Sequence, residues 1–106
     1  MRKSGPNPEM EKVRSNFPQA LRRARNALGI AQEQFDQVSS RTYVSVLERG
    51  IKQPTLGKLE ELAEVMNLHP LTLLALSYAP KGAADWERLV ALVTRQIGEV
   101  LALEGS

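Results

Sequence analysis

Apolar residues recur along this chain at intervals of three and four, and no stretch alternates them with polar residues at intervals of two. A helix of 3.6 residues per turn gathers such positions on one face, whereas a half-buried strand needs a period of two. The chain is therefore expected to be all-α, with glycine and proline dividing it into short helices. Pro18 suits a first helical turn, Ala20, Leu21, Ala24, Ala27 and Leu28 repeat behind it, and Gly29 is a natural stop, which predicts a helix over 18–28. Residues 31–37 form a short second helix with Phe35 as its core residue. Val38-Ser39-Ser40 is a turn whose serine can cap a third helix over 41–49, with Val44 and Leu47 as the buried pair and Gly50 at its end. Thr55 caps a fourth helix carrying Leu56, Leu59, Leu62, Ala63 and Met66, and Asn67 closes it. Leu68-His69-Pro70 opens a fifth with Leu71, Leu73, Leu74 and Leu76; the lone His69 reads as a cap rather than a ligand. Pro80-Lys81-Gly82 breaks the chain before a last helix over 84–103.

At 106 residues the chain has room for one domain and a tail. It has no cysteine and one histidine, which excludes disulfides, thiolate or multi-histidine metal sites and cysteine nucleophiles. No nucleophile–base pair, paired catalytic acids or phosphate loop is present, so no enzyme, metal or cofactor is expected. The longest apolar run falls far short of the roughly 18–20 residues of a membrane span, and the basic start lacks the apolar stretch of a signal peptide. Charge is distributed unevenly. Residues 1–58 hold 11 Lys/Arg against 5 Asp/Glu, and residues 59–106 hold 3 against 7, giving +6 and −4. A basic front half is the footprint of a phosphate-binding surface, whereas an acidic back half suits solvent or a protein partner.

The expected organisation is a flexible basic arm over 1–16, in which Arg2, Lys3, Lys12 and Arg14 can touch phosphates, a helical domain over 17–79 and a C-terminal dimerisation helix over 80–106. Trp86, Val90, Val93, Ile97 and Val100 follow one another at spacings of 4, 3, 4 and 3, and Leu89, Leu92 and Leu103 widen the stripe. Such a helix is too apolar to lie bare on a small monomer. It either packs wholly on its own domain or pairs two subunits through Trp86, Leu89, Val90, Val93, Ile97 and Val100; the second reading is favoured.

Taken in order, Leu21-Arg22-Arg23-Ala24-Arg25, Leu28-Gly29-Ile30, Gln32-Glu33, Phe35, Tyr43-Val44-Ser45, Leu47-Glu48-Arg49-Gly50, Pro54-Thr55-Leu56 and Leu62-Ala63 resemble the Cro/phage-repressor type of helix-turn-helix, the XRE family, over about residues 18–78. The resemblance implies a five-helix lambda-repressor-like DNA-binding domain, followed here by the longer C-terminal helix. It implies a transcriptional regulator, most often a repressor, working in the bacterial cytoplasm on the nucleoid. It also implies an Arg25–Glu48 ion pair locking the first helix to the third. The chain departs from the family pattern between Phe35 and Tyr43, which is about two residues shorter, holds no glycine and has Asp36 where a small residue is usual. Either the second helix is shortened or the turn is rebuilt around serine caps.

The third helix is the expected reader of base edges. Arg41 can bond guanine O6 and N7 together, Thr42 offers a hydroxyl or methyl, Ser45 permits close approach, and Val46 suits a thymine methyl. Gln32, Ser40, Tyr43, Arg49, Lys52 and Thr55 are the expected phosphate contacts, with Arg22 and Lys58 as weaker candidates. Double-stranded DNA and a second copy of the chain are the expected partners. The alternative is an antitoxin-like module that sequesters another protein through its back half and autoregulates through the same helix-turn-helix. A small-molecule sensor is disfavoured, because few residues lie beyond the DNA-binding region.

Overall fold

A computed structural model describes residues 14–79 and 81–105, and of Arg41 the backbone alone. Most of the arm, including Arg2, Lys3 and Lys12, lies outside the described residues. Those residues form five α-helices and no strand: α1 (Phe17–Ala27), α2 (Arg41–Glu48), α3 (Leu56–Val65), α4 (Pro70–Tyr78) and α5 (Ala83–Glu104). The expected second helix is a single 3-10 turn, Gln32–Phe35. Its own bonds run from the Gln34 amide to the Ala31 carbonyl at 3.0 Å and from the Asp36 amide to the Glu33 carbonyl at 3.1 Å, and just beyond it the Val38 and Ser39 amides both donate to the Phe35 carbonyl at 3.0 and 2.8 Å. The serine cap is present too: Ser40 Oγ accepts from the Tyr43 amide at 2.9 Å. Ser40→Ala is expected to lower stability by about 1 kcal/mol in denaturant unfolding.

Helix stops follow the sequence closely. At the ends of α1 and α2, Gly29 and Gly50 adopt φ of +71° and +74°. Each is followed by the paired hydrogen bonds of a Schellman motif: Gly29 to Asn26 and Ile30 to Arg25, then Gly50 to Leu47 and Ile51 to Val46. Asn67 serves α3 in the same way at φ +57°. His69 caps α4, its Nδ1 accepting from the Leu71 amide at 2.9 Å.

One apolar core joins α1 to α4. Leu21, Phe35, Val44, Leu47, Leu62 and Leu73 are fully shielded, with Phe17, Ala24, Leu59, Ala63 and Met66 around them. Three leucines assigned to apolar faces by periodicity lie outside it: Leu28, Leu56 and Leu71 are 49–75% exposed. Leu56 and Leu71 sit in the first turns of their helices and Leu28 in a C-cap, where the chain has not yet entered, or has already left, the packed face.

The fifth helix stands apart from this core. None of its residues is buried, and α4 is its principal neighbour. The radius of gyration is 16.0 Å, against roughly 13 Å for a compact domain of about 100 residues. Along α5, Leu89, Leu92, Val93 and Gln96 are half-buried, while Trp86, Val90, Ile97, Val100, Leu101 and Leu103 face outward, 40–76% exposed. The six residues expected to form an interface are thus divided: Leu89 and Val93 are partly covered, and Trp86, Val90, Ile97 and Val100 are open.

Candidate nucleic-acid interface

The second helix, α2, is held by one side and bare on the other. Val44 and Leu47 are fully buried and Glu48 nearly so. At about 100° per residue, Thr42, Ser45, Val46 and Arg49 fall within about 100° of arc on the opposite face. Thr42 and Arg49 are exposed there, and Ser45 and Val46 are half-buried. Arg41 opens α2 at its first turn. Thr42, Ser45 and Val46, the short side chains at the middle of this face, let the helix backbone approach a surface closely.

The buried edge of α2 is anchored electrostatically. Arg25 of α1 grips Glu48 with both ends of its guanidinium, Nε to Oε2 at 2.6 Å and Nη2 to Oε1 at 3.0 Å. A third donor, Nη1, reaches the Ile30 carbonyl at 3.1 Å. The hydrogen bond to Glu48 raises the Arg25 pKa above its ordinary range, outweighing the lowering by burial. Gln32 adds a bond from Nε2 to Glu48 Oε1 at 3.1 Å, and Arg22 donates to the Glu48 backbone carbonyl at 2.6 Å. One carboxylate therefore joins α1, the 3-10 turn and α2, and every buried polar side-chain atom among the described residues is satisfied.

This network assigns some residues differently from the sequence reading. Gln32, expected on a phosphate, directs its amide inward to Glu48. Arg22 closes the C-terminal end of α2, where the helix leaves carbonyls without partners. Its separation of three from Arg25 places both on one side of α1, and that spacing was the available signal. Lys58 turns inward as well, its Nζ donating to the Val38 carbonyl at 2.7 Å. No sequence pattern marks that contact, because it joins residues twenty positions apart.

The other expected contacts surround the bare face. Ser40 and Thr55 cap α2 and α3, Thr55 Oγ1 accepting from the Lys58 amide at 3.1 Å. Accepting that bond leaves each hydroxyl its proton to donate. Lys52 is exposed in the loop between α2 and α3, and Tyr43 is half-buried in the first turn of α2. Arg49 lies over its own helix, Nε 3.4 Å from the Ser45 carbonyl.

A 3-10 turn, a tight connection and a capped helix packed by one face together make a helix-turn-helix. The family model described as helix-turn-helix matches residues 21–73, half of the chain. The chain belongs to the Cro/C1-type helix-turn-helix family, also called XRE. The matched span runs from Leu21 in α1 to Leu73 in α4 and so takes in all of the buried core cluster except Phe17. Searches among curated proteins and solved structures found no match. As an XRE-family protein it carries a DNA-binding regulatory domain. Among the described residues no helix is long and apolar enough to cross a membrane, and no cluster of His, Asp or Glu could hold a metal ion.

Proposed function

We propose that this chain is a sequence-specific transcriptional regulator that binds double-stranded DNA as a homodimer on a palindromic operator, with α2 in the major groove. The bare, small-residue face of α2 carries the reading. The major groove is about 12 Å wide and accepts one helix, provided that its outward side chains are short or able to bond base edges. In this reading Arg41, Thr42, Ser45 and Val46 contact bases. Gln32 (through its backbone or its remaining amide proton), Ser40, Tyr43, Arg49, Lys52 and Thr55 contact phosphates. The α5 stripe of Trp86, Leu89, Val90, Val93, Ile97 and Val100 joins two subunits, setting their reading helices for half-sites about 34 Å apart.

Selection from random duplexes at two salt concentrations tests this directly. A recovered palindrome supports a dimeric operator reader and gives the half-site spacing. Recovery of unpatterned, salt-sensitive DNA would refute base reading and assign the basic half to phosphates alone. Two variants separate the roles. Arg41→Ala is expected to flatten preference at one base position, a loss of about 1–3 kcal/mol of discrimination. Lys52→Ala is expected to weaken all duplexes alike and lower the salt slope by about one. Equilibrium binding to matched and mismatched duplexes over a salt series reads both.

A further inference from the structure

We infer that Lys58 is a positioning residue for DNA reading: it clamps the shortened helix-turn-helix turn and the start of α2 to α3, and so fixes the angle at which α2 is presented. Three contacts converge on its ammonium group. Nζ donates to the Val38 carbonyl at 2.7 Å. It pairs with Glu61 at 2.9 Å. It also sits 5.5 Å from the centre of the Tyr43 ring, within cation–π range. The side chain is only 25% exposed. These partners belong to three different pieces of the fold: the turn, the first turn of α2, and α3 itself.

The placement of Lys58 runs against the local electrostatics. It occupies the first turn of α3, where the helix dipole favours anions and disfavours a cation. Glu61 on the same helix and the Val38 carbonyl offset that penalty. A residue that opposes its local rule and is compensated by specific partners points to a role beyond the helix that carries it. Here the need is visible. The turn has no glycine, the 3-10 segment before it has four residues, and the Val38 carbonyl in the connection between them and α2 accepts from the Lys58 ammonium, twenty residues away. Lys58 supplies that carbonyl with a donor and places a charge beneath the aromatic ring that leads into the reading face. Its ammonium is turned inward to these groups, so the clamp replaces the phosphate contact first expected of it.

The clamp's effect on base preference rests on the proposed reading of operators by α2, so the test has one arm that needs DNA and one that does not. Lys58→Met and Lys58→Arg are made in the full chain. Without DNA, amide hydrogen exchange is followed at residues 38–43, with α1 and α4 as internal references. In Lys58→Met, exchange at 38–43 is expected to quicken about tenfold while the references hold, and Lys58→Arg, which keeps a donor and a charge, is expected to retain most of the protection. With DNA, preference for the selected duplex over a mismatched one is expected to fall about tenfold in Lys58→Met at an unchanged salt slope. Unchanged exchange at 38–43 would overturn the clamp whatever the DNA results. A salt slope lowered by about one with preference intact would overturn it in favour of a phosphate contact. A wild-type chain with no preferred duplex would refute base reading instead, and the exchange arm would still decide the clamp.

Discussion

Glu48→Ala is expected to destabilise the domain by about 3–5 kcal/mol, measured as a shift in denaturant midpoint at constant slope. The carboxylate is 5% exposed and accepts from Arg25 twice and from Gln32 once. Its removal leaves a guanidinium that is 15% exposed without its counter-charge and leaves the Gln32 amide without its acceptor. Total stability of a domain this size is of order 5–15 kcal/mol, so one substitution consumes a large share of it. The loss measures an orphaned charge rather than the net worth of the pair. Replacing both partners with apolar residues of similar size, Arg25→Met with Glu48→Leu, is therefore expected to recover most of the loss, and the double-mutant cycle quantifies the coupling. Arg25→Lys is not a conservative change here, because a lysine ammonium cannot match the two-point fork or reach Ile30 simultaneously. The contrasting case is Arg88–Asp85 on α5. That pair is 3.4 Å apart with Arg88 78% exposed, and Asp85→Asn is expected to change stability by less than about 1 kcal/mol.

In the proposed dimer, Ile97→Glu combined with Val100→Glu is expected to leave monomers and to weaken binding to the proposed operator about a hundredfold or more, while leaving the unfolding midpoint of the domain nearly unchanged. Both side chains are more than half exposed, at 52% and 58%, so the glutamates cost little in the isolated subunit. In a subunit interface they bring unpaired charges into an apolar contact. The affinity loss follows from linkage: two half-sites held together gain roughly 10²–10⁴ in effective binding, and that gain disappears when the subunits part. Sedimentation and operator titration on the full chain read the two effects. Truncation before Asp85 is expected to act in the same way, because no residue of α5 belongs to the buried core. A wild-type chain that sediments as a monomer would assign the α5 stripe to a different protein partner, the role of an antitoxin-like module.

Much of this architecture was legible in residue spacing. Three-and-four periodicity located the helices, Gly29 and Gly50 marked their ends because only a residue at ease with positive φ closes a Schellman turn, and Ser40, Thr55 and His69 marked their starts. Val44, Leu47 and Phe35 could be named as core because each lies at a buried phase of a short repeat. Periodicity failed at the first and last turns, where Leu56, Leu71 and Leu28 keep the phase but not the burial, since a helix end projects past the packed face. The resemblance supplied Arg25 and Glu48 as a pair, whereas the convergence of Gln32 and Arg22 on the same residue became visible only once α1, the 3-10 turn and α2 were assembled.

The sequence by itself therefore determined the helical class, the stops and caps, the core of the helix-turn-helix and the separation of a basic front from an acidic back. These depend on local backbone preference and on one periodicity, both carried by neighbouring residues. The tertiary structure alone decided which polar side chains turn inward and which remain outside. Gln32 and Lys58 face the interior because, sixteen and twenty residues away in sequence, a carboxylate and a backbone carbonyl needed donors. Such a demand arises only when separate segments desolvate one another's polar groups, and no local pattern encodes it.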